Sequence, residues 1–328
     1  MDLILHIGTP KTGSTSIQHW LADTCTPKRG DIYVPDNSVL PGTVAGNHTG
    51  VALYSGAPSV WWSKLGSNIR RALPPELKRL EPDAFREAFR EYLETCVSAA
   101  EECGCTTVLL SNEHLSERLD KAVVREFSES IRPLFSKTIA VIYLREQTRT
   151  CTSLYGDSLR HGNRSDFRTF IKSDPIRRFI DYCTLLQNWE ECGWEIRPLI
   201  YYERGRRPLG WRLISNFATA IRIGSISDDS ISQIARDIEA NDYRNTSIPP
   251  DSFFIKLAIN RLNLSDHIPP IIQYRLLRIA AKAPFLKGRF RKRNADQLRY
   301  LRDLSSDGNR TVAEKYFNRP DLFGHGGG

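Results

Sequence analysis

The chain has 328 residues, 40% of them hydrophobic, and its 46 Lys and Arg against 38 Asp and Glu leave a formal charge of +8. That apolar share excludes a disordered chain, and 21 Gly with 18 Pro exclude a collagen-like or low-complexity one. The length suits one large domain or two small ones, and the excess positive charge points to an anionic partner: nucleic acid, a membrane surface or a polyanionic small ligand.

In chain order, residues 3–7 read as a short buried strand. The run Gly8-Thr9-Pro10-Lys11-Thr12-Gly13-Ser14-Thr15 follows, then a helical stretch over 16–22. Residues 27–82 are irregular in pattern. Beyond them the periodicity predicts strands at 107–111, 137–144 and 195–201, separated by helices at 83–103, 121–134 and 176–192. Strands alternating with helices predict an α/β fold, a central parallel sheet flanked by helices. After residue 202 the pattern is helical, at 211–221, 230–240, 253–262 and 271–281. The expected organisation is a single domain over 1–323, with an α/β core over 1–205, a helical elaboration over 206–323 and a disordered tail at 324–328.

No apolar run approaches the roughly 18 residues of a membrane span, and the first residues lack the basic start of a signal peptide, so cytoplasmic residence is expected. The 7 cysteines are odd in number and irregularly spaced, which favours reduced thiols. Cys103 and Cys105 have no second Cys or His pair at zinc-site spacing, and no metal is expected.

The segment 8–15 has the two glycines of a phosphate-binding P-loop at the usual spacing. The residue after Gly13 is Ser14, however, and the lysine lies inside the loop at Lys11. A nucleoside triphosphatase also needs a magnesium-binding Asp closing another buried strand. Here one strand runs into Asn112-Glu113 and another into Arg145, which disfavours triphosphate hydrolysis. The reading is a P-loop-like phosphate cradle with its cation relocated.

Pro10-Lys11-Thr12-Gly13-Ser14-Thr15 resembles the first loop of the PAPS-dependent sulfotransferases, which binds the 5′-phosphosulfate. That family's second signature is a strand-end Arg with Ser eight residues later, together gripping the 3′-phosphate, and Arg145 and Ser153 match it. The resemblance is closest to a bacterial branch thought to sulfate saccharides, through residues 6–18. Weaker likeness extends through Ser111-Asn112-Glu113, Asn245-Thr246-Ser247 and a closing helix over 309–323. It departs from the animal cytosolic enzymes at Arg145-Glu146-Gln147, where Arg-Asp/Asn-Pro is common, and has no clear C-terminal Arg-Lys-Gly. The resemblance implies PAPS as donor, PAP as product, and a carbohydrate or glycolipid hydroxyl as acceptor. It places Pro10, Lys11, Thr12, Gly13, Ser14, Thr15 and Ser16 on the 5′ side and Arg145 and Ser153 on the 3′-phosphate. Tyr202 would meet the adenine, and Arg244 would close over the nucleotide.

Transfer to a hydroxyl needs a group to take its proton. Three candidates stand open. Glu113 lies just past a strand end, where the crevice of a parallel sheet forms. His114 is adjacent, and His48 sits in the polar turn Gly46-Asn47-His48-Thr49-Gly50. All three are also candidate acceptor ligands, whereas His6, on the first strand, reads as a core histidine.

Lys287-Gly288-Arg289-Phe290-Arg291-Lys292-Arg293 carries five cations and no acid. Its readings are a solvated face, an anionic saccharide site or peripheral contact with the inner membrane face; no motif accompanies it that would favour nucleic acid. Two rivals to sulfuryl transfer remain: a nucleotide or sugar kinase of similar loop architecture, and a non-catalytic glycan- or membrane-binding protein.

Overall fold

The apolar runs become the strands of one sheet. In the computed structural model, which describes residues 1–24, 28–29, 31–35, 48, 82–116, 121–201, 210–221 and 248–324, these are β1 (Asp2–His6), β2 (Lys28–Arg29), β3 (Ile32–Tyr33), β4 (Thr107–Ser111), β5 (Lys137–Leu144) and β6 (Glu195–Ile200). The order across the sheet is β2-β3-β4-β1-β5-β6. β3, β4, β1, β5 and β6 run parallel, and the two-residue β2 pairs antiparallel with β3 at the edge. β1 lies between β4 and β5, in register His6 to Ser111 on one side and His6 to Val141 on the other. The expected helix over 230–240 lies outside the described residues.

A strand's side chains alternate between faces, and a parallel sheet buries both. Ile4, Leu109, Ile139, Val141 and Tyr143 pack against Ile17, Trp20 and Leu21 of helix α1 (Ser14–Thr24). Leu213, Ile214 and Phe217 of a later helix, Gly210–Ala220, complete that layer. Helices α2 (Pro82–Glu102) and α3 (Lys121–Ile131) bury Phe89, Leu93, Val124 and Phe127. Phe127 stacks on Trp194 at 6.1 Å between centroids, and the Trp194 indole N–H donates to Ser128 Oγ at 2.8 Å.

The described chain falls into two compact units, residues 1–144 with 184–241 and residues 145–183 with 242–328. One boundary between the units falls at the end of β5. The second unit is helical. It holds α4 (Gln147–Arg160), α5 (Phe167–Ile171), α6 (Asp174–Ile180), and the start of α7 (Tyr182–Glu191), which runs into the first unit. The helix Gly210–Ala220 of the first unit is α8, and the second unit continues with α9 (Phe253–Arg261), α10 (Pro270–Ala281), α11 (Arg289–Arg293) and α12 (Ala295–Phe317). The single helix expected over 176–192 is two, because the chain leaves helical geometry at Asp181 (φ −85°, ψ 79°).

The second unit's core gathers Cys151, Tyr155 and Leu159 of α4 with Phe167, Phe253, Phe290 and Leu301. Gly156 sits in the middle of α4 where a Cβ would come within 2.8 Å of the Phe253 ring, so close packing there requires glycine. Gln147 and Asn309 exchange two amide hydrogen bonds of 2.7 and 3.0 Å, fastening α4 to α12. The six described cysteines are thiols outside any disulfide, and among the described residues no helix is long and apolar enough to cross a membrane.

Candidate functional site

β1 ends at His6, and residues 7–13 connect it to α1 past the end of β5. The Ile7 amide donates to Val141 O at 3.0 Å, the Thr9 hydroxyl to Tyr143 O at 2.7 Å, and the Thr12 hydroxyl to Thr9 O. Thr9 and Thr12 are fully buried. Both threonines spend their hydroxyls holding the loop's shape.

Three loop residues have left-handed backbone: Gly8 (φ 27°), Lys11 (φ 65°) and Gly13 (φ 81°). The start of α1, directly after the loop, carries the positive end of a helix dipole. At Lys11 a non-glycine residue takes this conformation, at a cost of about 1–2 kcal/mol, and its half-exposed side chain departs from the loop's tip. Ser14 is buried and Ser16 half-buried on the first turn of α1; Thr15 and Pro10 complete the segment.

Gly13 has a second constraint. A Cβ there would stand 2.5 Å from Leu213 Cδ2 and 3.3 Å from Tyr201 Cε2. Gly13→Ala is expected to lower unfolding free energy by about 2–4 kcal/mol, joining left-handed strain to overpacking. Urea denaturation measures it, and a loss under about 0.5 kcal/mol would contradict the packing described.

Glu113 opens a 3-10 turn, Glu113–Ser116, directly after β4 and Asn112. Its Cβ stands 3.7 Å from where a Gly8 Cβ would be, so the residue's base is the loop's neighbour. Gln18 of α1 donates from Nε2 to Glu113 Oε2 at 2.7 Å and lies 3.4 Å from Ser111 Oγ. Ser111 Oγ is in turn 2.8 Å from His6 Nδ1. A chain Glu113–Gln18–Ser111–His6 thus links β4, α1 and β1 beneath the loop. Sequence reasoning missed Gln18, although it closes the residue 6–18 run that carries the resemblance.

His6 is a core histidine, as read from its strand position. It is fully buried, its ring meets Phe217 edge-on at 5.0 Å, and burial lowers its pKa from 6.5 to about 3. His48 is also buried. Its Nδ1 accepts from the Ser111 amide at 3.0 Å, so Nε2 carries the proton and donates to Pro35 O at 3.0 Å. Its own amide donates to Ser111 O at 2.8 Å. Both ring nitrogens are committed to backbone, and burial lowers the pKa. The expectation of His48 as base or acceptor ligand meets a residue with no nitrogen open to a hydroxyl; it braces the end of β4.

The backbone of His114 lies in the 3-10 turn, while its side chain is outside the described residues, as are Tyr202 and Arg244. Arg145 is the residue after β5, two before α4, and Ser153 is half-buried on the second turn of α4. Tyr182 clamps the Arg145 backbone: its hydroxyl donates to Arg145 O at 2.5 Å and lies 3.4 Å from the Arg145 amide. Burial raises the pKa of that phenol, which keeps it a donor.

A cavity of about 270 Å³ lined by Arg132, Lys137, Gly193 and Glu195 lies at the opposite end of the strands, where β5 and β6 begin. Ligands of parallel α/β sheets bind at the carboxyl ends instead, where the loop and Glu113 are. Compared with protein-family models, with curated proteins and with solved structures, the chain matches none.

Proposed function

We propose that the protein is a PAPS-dependent sulfotransferase acting on a hydroxyl of a carbohydrate or glycolipid. The observation that carries the reading is the loop of residues 8–13, with left-handed backbone at Gly8, Lys11 and Gly13 and Glu113 next to Gly8. A phosphate at a helix N-terminus, a cation within the loop and a carboxylate nearby are the parts that sulfuryl transfer to a hydroxyl requires.

In the proposed reaction the acceptor oxygen attacks the sulfur of PAPS in line. The S–O bond to the 5′-phosphate breaks, PAP leaves, and the hydroxyl proton passes to Glu113. Loop amides and Lys11 stabilise the negative charge that grows on the departing phosphate oxygen. Lys11 supplies there the positive charge for which a nucleoside triphosphatase uses magnesium. Gln18 holds one carboxylate oxygen of Glu113 and leaves the other to the acceptor. On the motif alone, Arg145 and Ser153 take the 3′-phosphate, with Tyr202 and Arg244 assigned to the nucleotide by resemblance.

Thermal unfolding with ligands tests the reading. PAP at about a hundred times its Kd is expected to stabilise the protein by about 2.7 kcal/mol, and Arg145→Ala to remove most of that shift. Stabilisation by ATP with magnesium but not by PAP would replace this function with a kinase. Unchanged affinity for PAP in Arg145→Ala would show that the residue after β5 is not a phosphate ligand.

A further inference from the structure

The helical second unit carries a surface that the proposed reaction does not use. Helix α10 (Pro270–Ala281) packs inward through Gln273 and Leu277, both buried. Gln273 is pinned there by bonds from its Nε2 to Ser265 O and Ile268 O at 2.9 and 2.7 Å, and by the buried Lys256 ammonium on its Oε1 at 2.6 Å. At about 100° per residue, Ile272, Leu276 and Ile279 then fall in one stripe on a solvent-open flank of the helix, about 80–140° round from the centre of that buried side. These are 46%, 51% and 68% exposed, and Phe285 just beyond the helix is 75% exposed. A helix on a protein surface ordinarily turns polar residues to water.

Beside the stripe on the same exposed arc stand Arg275, Arg278 and Lys282, all exposed. Five more exposed cations follow in residues 287–293. From His267 to Ala295 the chain has these eight cations and no Asp or Glu, a local excess equal to the +8 of the whole protein. The second cluster is fixed to the unit. Leu286 and Phe290 are buried, and the Asp251 carboxylate accepts from the amides of Gly288 and Phe290 at 2.9 and 3.2 Å. Among the described residues none of the eight has a carboxylate partner.

We propose that this face, the apolar stripe of α10 with the flanking cations, docks the protein on the surface of an anionic phospholipid membrane. A lipid interface satisfies both halves at once: acyl chains take the isoleucines, and headgroup phosphates meet the cations. Nucleic acid would answer the charge and leave the stripe in water. A second copy would answer the stripe and bring eight like charges against these. The inference stands apart from sulfuryl transfer and is tested without it.

The test is co-sedimentation of the full chain with vesicles of phosphatidylcholine alone and of phosphatidylcholine mixed with phosphatidylglycerol. Binding is expected to the mixed vesicles, weakening as salt is raised. The double variant Ile272→Asp, Ile279→Asp is expected to lower the partition coefficient more than about ten-fold. The triple variant Arg275→Gln, Arg278→Gln, Lys282→Gln lowers it by about five-fold for each cation removed. All five positions are exposed, so both variants should keep the unfolding temperature of the parent, and the triple variant decides the matter if the double one does not fold. Three results would overturn the proposal: no binding to the mixed vesicles, undiminished vesicle binding by the folded double variant, or a dimer in light scattering that the double variant abolishes. Tighter binding to double-stranded RNA than to the mixed vesicles, insensitive to the aspartates, would assign the face to nucleic acid instead.

Discussion

Replacing Lys11 by alanine is expected to leave a folded protein whose rate of transfer from PAPS falls by about 10²- to 10³-fold or more. The separation of activity from folding follows from where the residue sits. Lys11 is half-exposed at the tip of a loop whose shape depends on Thr9, Thr12 and the backbone of β5, none of which the substitution touches. Alanine keeps a Cβ at the same φ of 65°, so the left-handed strain is carried over unchanged. In the proposed mechanism the substitution removes the cation that faces the departing phosphate, and that effect falls on the transition state, where charge on the oxygen is greatest. The loss should therefore appear in kcat more than in the affinity for PAPS. A two-fold change in kcat would remove Lys11 from the mechanism, and a collapse of the unfolding temperature would make it a structural residue.

The second large effect is on stability in acid. His6 holds off its proton in the fold until about pH 3, whereas an unfolded chain takes it near the ordinary 6.5. Between those two values the unfolded state binds the extra proton, so stability falls as pH is lowered, by about 1.4 kcal/mol for each pH unit and on the order of 5 kcal/mol across the whole window. His48, buried with both nitrogens committed, adds a loss of the same sign. Above pH 6.5 both histidines are neutral in either state and the dependence disappears. Unfolding temperatures recorded from pH 7 downward should fall steadily. In His6→Gln the slope should be shallower even if the starting stability is lower. A parent protein equally stable at pH 7 and pH 4 would contradict the burial of these rings as neutral groups.

Much of the sheet could be read from the chain because its central strands are continuous apolar runs: residues 107–111 and 137–144 coincide with β4 and β5. β2 and β3 are two residues each and carry no period to detect. Residues 176–192 keep a helical pattern through Asp181, yet the chain breaks there. Tyr182 sends its hydroxyl to the backbone of Arg145, a tether invisible to local sequence. Periodicity also misleads in α10: Ile272, Leu276 and Ile279 have helical spacing, and the pattern alone would bury them, whereas the buried side is Gln273 and Leu277.

At the candidate site the loop and Glu113 were legible, since a glycine spacing and a strand end are local features. The brace from Gln18 to Glu113 spans 95 residues and was not. His48 misled for the same reason: a polar turn of Gly, Asn and Thr suggests a solvated, reactive ring, and only its pairing with Ser111 and Pro35 shows it committed to backbone.

Transfer itself is the most direct test. The purified protein is incubated with PAPS carrying radioactive sulfur and with a glycan and lipid extract of the host. Label should enter a glycan or glycolipid fraction, with one PAP formed for each sulfate transferred, and should not enter it with Lys11→Ala. Label absent from every fraction under conditions where PAP binds, or equal transfer by the parent and by Lys11→Ala, would contradict the mechanism.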